Sequence, residues 1–88
     1  MTYSLEIEEH TDREFRKLAK KDKVQLEIIN KKVQEILENP YHFKPLRAEM
    51  HGTRGVHISK SFVLVYEIDE KRKAVRILDY DHHDKVYW

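Results

Sequence analysis

Residues 62–68, Phe-Val-Leu-Val-Tyr-Glu-Ile, form a near-continuous apolar run rich in valine, aromatic and isoleucine side chains. A run this short and β-branched, bounded by polar residues, predicts a central strand buried on both faces. Such a strand needs paired neighbours and a layer to cover it. Val56 and Ile58 alternate with His57 before a turn at Ser59, Lys60 and Ser61, and after a polar turn over 69–72 the alternation resumes. There Val75 and Ile77 take one face and Ala74, Arg76 and Leu78 the other, which predicts a strand over 73–80. Upstream, Leu46, Ala48 and Met50 alternate with Arg47, Glu49 and His51, and Gly52 and Gly55 bracket a loop holding Thr53 and Arg54.

The covering layer has to come from the N-terminal half. Tyr3, Leu5 and Ile7 alternate with Ser4, Glu6 and Glu8, the period of two of a half-buried strand. Thr11 followed by Glu14 has the form of a capping box, and Phe15, Leu18 and Ala19 recur at helical spacing, predicting a helix over 11–21. Asp22 with Gln25 can cap a second helix whose stripe is Leu26, Ile29, Val33, Ile36 and Leu37, stopped by Asn39 and Pro40. The turn around 21–23 is brief, so the helices are expected to form an antiparallel hairpin. Residues 40–45 read as an extended connector in which Tyr41 and Phe43 are packing anchors. The expected fold is α+β, one domain over 1–88, with an N-terminal strand, the helix hairpin, and a mostly antiparallel twisted sheet of about four strands.

Composition narrows the function. Seventeen Lys and Arg against 16 Asp and Glu leave a net charge of +1, so overall charge makes no case for nucleic acid and any such contact needs a local patch. The absence of cysteine excludes disulfides and thiolate metal sites and fits a reducing cytoplasm. No apolar run approaches the ~20 residues of a membrane helix. Acid/base groups crowd instead at the end, in Asp81, His82, His83, Asp84, Lys85, Val86 and Tyr87. Metal binding there is not expected, because adjacent residues of an extended chain point apart, and no cofactor is expected either.

Histidine suits both the giving and the taking of a proton, since its unperturbed pKa of ~6.5 lies near neutrality. His57 and His83 come from different strands and are the candidates. Alternation turns His57 away from the helices, as Val56 and Ile58 face them. Tyr87 and Trp88 offer stacking surfaces, and Arg54, Lys60 and Lys85 offer charge for phosphate. Each of these residues alone is equally compatible with an ordinary surface position.

Three stretches taken together, Gly-Thr-Arg-Gly-Val-His-Ile over 52–58, the run over 62–68, and His-His-Asp-Lys-Val-Tyr over 82–87, resemble the RelE/ParE superfamily of toxins from toxin-antitoxin modules. The resemblance implies a RelE-like fold and a ribosome-dependent endoribonuclease that cuts messenger RNA in the cytoplasm. It also implies a RelB-like antitoxin that neutralises the chain in a hetero-oligomer. The catalytic set implied is His57, His83 and Tyr87; from position and charge, Arg54, Lys60 and Lys85 are the expected substrate contacts, with His82 a weaker candidate. RelE-type members usually carry arginine where this chain has Val63 and His83, so the set does not transfer whole. The histidines look like the YafQ-type branch, which has phenylalanine at the position of Tyr87 and aspartate at that of Ser61. The competing expectations are a ParE-like module that inhibits gyrase by protein contact, or an inactive member of the fold.

Overall fold

The computed structural model describes residues 3–45 and 52–86. Strand β1 (Ser4–Ile7) leads into helices α1 (Glu9–Lys21) and α2 (Lys23–Glu38), followed by strands β2 (Thr53–Ile58), β3 (Phe62–Asp69) and β4 (Ala74–His82) and a 3-10 turn over His83–Lys85. The strands form one mixed sheet in the order β1-β4-β3-β2. β3 pairs antiparallel with both β2 and β4, whereas β1 lies parallel to β4. The strand expected over 46–51 lies outside the described residues, as do Arg47, Tyr87 and Trp88.

The apolar run becomes an interior strand. Val63, Leu64 and Tyr66 are fully buried. Leu64 and Tyr66 point to the helices and join Val56, Ile58, Val75, Ile77 and Tyr80 in a core closed by Ile29, Val33 and Ile36 of α2. Val63 and Val65 point the other way, into a smaller cluster with Leu78 and Val86. The tail therefore packs against the face opposite the helices. The Tyr66 hydroxyl donates to the Pro40 carbonyl at 2.6 Å, which ties the end of α2 to the sheet. Burial pushes this phenol up to about 12, against a smaller opposing effect of Arg54.

Two element boundaries differ from expectation. α1 begins at Glu9, with Glu8 as its N-cap and no side-chain cap bond, so the Thr11/Glu14 box does not form. Thr11 is buried instead, and its hydroxyl donates to the Leu78 carbonyl at 3.0 Å. That carbonyl sits where the β3/β4 register shifts between Val65 and Tyr66, so the threonine satisfies a group the irregular ladder leaves over. Asp22 does cap α2, accepting from the Gln25 N–H at 3.0 Å. The Gln25 side chain does not return the bond; it donates to the Tyr80 hydroxyl at 2.9 Å and accepts from Ser59 at 2.8 Å, linking the helix start to the β2–β3 turn.

A polar knot holds the opposite end. Glu70, in the β3–β4 turn, accepts from the Tyr3 hydroxyl at 3.0 Å, from Lys73 at 2.8 Å and from the Tyr41 hydroxyl. These bonds, Lys73 first, lower the carboxyl from 4.5 to about 2. A depressed carboxyl stabilises the fold above its unfolded pKa, and the contribution disappears as pH falls toward the folded value. The parent is therefore expected to melt above Glu70→Gln at neutral pH, with the gap closing between pH 4.5 and about 2. Melting curves of the two proteins across that window check it; a gap that stays constant to pH 2 would exclude Glu70 as the source.

Candidate active site

The sheet end that carries the β2–β3 turn gathers the acid/base groups. Cross-strand pairing puts His57, Val63 and Asp81 in one row on the face away from the helices. One rung further, the His83 N–H donates to the Ser61 carbonyl at 2.8 Å, which holds the start of the tail against the start of β3. His57 and His83 thus flank β3 at the same end of the sheet, their backbones two strand spacings, about 10 Å, apart across it and offset by two residues, about 7 Å, along it. The floor between them is apolar, because Val63 is fully buried beneath Val86.

The tail is not extended at the histidines. β4 runs to His82, and then the chain turns, with the Val86 N–H donating to the His83 carbonyl at 3.2 Å. This turn overturns the expectation that adjacent side chains point apart. The His82 and His83 rings stand 4.8 Å apart, tilted by 39°. Asp84 lies between them, one carboxylate oxygen 2.9 Å from His83 Nδ1 and the other 3.4 Å from His82 Nδ1. The Asp84 N–H also donates to His82 Nδ1 at 3.3 Å. His82 packs on Phe62, which stacks on Tyr80 at 5.0 Å, so its ring is anchored toward the helix side. Asp84 was noted among the crowded acid/base groups but given no part in the site; the structure sets it against both rings. These three residues place one metal-ligating atom each within 4.8 Å of one another.

The expected phosphate-binding cations divide. Arg54 is not on a loop; it lies within β2, paired with Tyr66, on the face opposite His57. Its guanidinium donates to the Phe43 carbonyl at 2.7 Å and stacks 5.1 Å over the Tyr41 ring. Arg54 fastens the connector rather than joining the His57 face. Lys60 is exposed on the β2–β3 turn, beside the Ser61 carbonyl that holds His83. Lys85 is exposed, with its ammonium 4.0 Å from Asp81. Two further lysines come close to His57: a cleft of about 390 Å³ is lined by Lys32, Phe43, Lys44, Gly55, Val56 and His57. It exists because the connector folds back along the outer edge of β2, where the Gly55 N–H donates to the Lys44 carbonyl at 3.2 Å. No sequence pattern marks Lys32 or Lys44, since only this long-range contact brings them there.

A family model described as the ParE toxin of type II toxin-antitoxin system, parDE, matches residues 2–87. The chain belongs to this toxin family. Within the wider RelE/ParE superfamily, it is 47% identical to the RelE4 protein of Methanocaldococcus jannaschii over 97% of this chain and 90% of that protein. Among solved structures it resembles the RelBE2 toxin-antitoxin complex of Mycobacterium tuberculosis, with a TM-score of 0.76 and 26% identity over 93% of this chain and 99% of the other. A YoeB/ParE toxin from Agrobacterium tumefaciens superposes with a TM-score of 0.83 at 17% identity, over 91% and 98% of the two chains, and so shares the fold. The sheet and hairpin are those of the RelE/ParE toxin fold.

Proposed function

We propose that this toxin is a metal-independent endoribonuclease that cuts messenger RNA on the ribosome. The observation that carries the reading is the placement of His57 and His83 on either side of β3 at one sheet end, with Asp84 2.9 Å from the His83 ring. One histidine takes the proton of a ribose 2′-hydroxyl, whose oxygen attacks the adjacent phosphorus. The other gives a proton to the departing 5′-oxygen, leaving a 2′,3′-cyclic phosphate and a 5′-hydroxyl. Asp84 accepts from His83 Nδ1–H, which leaves Nε2 directed at substrate. Lys44 on the His57 side, and Lys60 and Lys85 on the His83 side, supply the positive charge for phosphate. Tyr87 completes the proposed set as a stacking surface for a splayed base.

The solved toxin-antitoxin complex among the relatives supports a cognate antitoxin as partner. We place its acidic contacts on the exposed basic face of α1, chiefly Arg13, because Arg16 already lies 3.0 Å from Asp12 and Lys17 3.9 Å from Glu14. Among the described residues no helix is long and apolar enough to cross a membrane. Primer extension on cellular messages after induction tests the function. New 3′ ends within translated messages are expected, with rescue by the antitoxin; intact messages with inhibited gyrase supercoiling would select the gyrase-binding reading instead.

A further inference from the structure

The turn that brings the tail histidines together also assembles a donor set that proton transfer alone does not require. We infer that His82, His83 and Asp84 form a binding site for a divalent transition-metal ion of the zinc type.

Three features support it. The donors are two imidazole nitrogens and a carboxylate, a set that suits zinc and its neighbours, whereas magnesium and calcium favour all-oxygen shells. The spacing fits: tetrahedral zinc at ~2.0–2.1 Å from each ligand puts the ligand atoms roughly 3.4 Å apart. Here His83 Nδ1 and His82 Nδ1 stand 2.9 and 3.4 Å from the two different oxygens of Asp84, and one ligand atom from each of the three residues falls within 4.8 Å of the others. The donors are also held before any ion arrives. The His82 ring is packed on Phe62 at 5.7 Å between ring centroids, and the His83 backbone is held by its N–H donating to the Ser61 carbonyl at 2.8 Å while its ring lies 4.8 Å from that of His82. With each side chain between about two-fifths and three-quarters exposed, an ion has a direct approach and the fourth coordination position stays open to water.

Occupancy changes what His83 can do. An ion held between His83 and Asp84 occupies both the ring and the carboxylate that orients it, so neither is free to serve substrate. Resting on the nuclease reading, a bound ion is therefore an off switch, and the chain cuts only when metal-free.

Calorimetric titration of the folded chain with zinc sulphate in a non-chelating buffer tests the site without reference to activity. One ion per chain is expected, with affinity at least about tenfold weaker in both His82→Ala and Asp84→Asn, as for loss of one ligand or orienting group. No saturable binding, or binding unchanged in both variants, overturns the site. A cleavage assay supplies the second arm: equimolar zinc should stop the parent, and a chelator should restore it. Parent protein that binds zinc and cuts undiminished overturns the switch. A parent that binds zinc but never cuts, even with chelator, refutes the nuclease reading while the calorimetry still decides the site.

Discussion

His83→Ala is expected to cut ribosome-bound message about 10²- to 10⁴-fold more slowly than the parent, and His57→Ala to do the same, as for removal of one proton-transfer group. Neither change touches the main core. His57 is exposed on β2, and His83 lies beyond the last residue of β4. Both variants should therefore fold, and circular dichroism of each should match the parent. The expected loss is in kcat rather than KM, because the imidazoles act on protons in flight and the lysines carry the phosphate. Single-turnover cleavage with saturating protein separates the two. A folded His83→Ala variant that cuts at the parent rate would remove this residue from the mechanism. Asp84→Asn should fall between, since it leaves the ring in place and takes away only its orienting partner.

The largest effect on stability is expected at Tyr66. Among the described residues it is the largest fully buried side chain, packed between α2 and the sheet, and its hydroxyl bonds the Pro40 carbonyl at 2.6 Å. Tyr66→Phe keeps the ring and loses the bond, which should cost about 1 kcal/mol plus the exposure of the carbonyl to an apolar edge. Tyr66→Ala removes the ring as well and should cost about 3–5 kcal/mol. Against a total stability of about 5–15 kcal/mol for a domain of this size, the alanine variant is brought close to unfolding. Urea denaturation of the three proteins gives the comparison. Equal midpoints for Tyr66→Phe and Tyr66→Ala would mean that the ring contributes nothing, contrary to the packing of α2 on β3.

The core was legible because it is periodic. The run over 62–68 became interior strand β3, and Ile29, Val33 and Ile36 face it from the helix stripe. The parallel pairing of β1 with β4 has no such signature, since it depends on where a strand settles after the hairpin and not on its own alternation. Thr11 shows how a local pattern yields to a distant one: the carbonyl of Leu78, left over at a register shift, takes the hydroxyl that a capping box would have used. The site was legible in part. His57 faces away from the helices as its neighbours required. Arg54 was misjudged because Gly52 and Gly55 looked like loop brackets. Gly52 does turn, at φ 83°, but Gly55 sits inside β2, and the strand's alternation sends Arg54 to the helix side. His82 was misjudged for the opposite reason, an assumption of extended chain where a 3-10 turn begins.

The central claim is that a ribose 2′-hydroxyl is the nucleophile and the chain's own histidines move the protons. It is tested most directly by one message, programmed on the ribosome in the presence of a chelator, carrying a single 2′-deoxynucleotide immediately 5′ of a mapped cut. The parent protein is expected to cut the all-ribose message there, leaving a 2′,3′-cyclic phosphate, and to leave the deoxy-substituted position intact. Cleavage at the deoxy position would mean that water or another group attacks, and would contradict the mechanism.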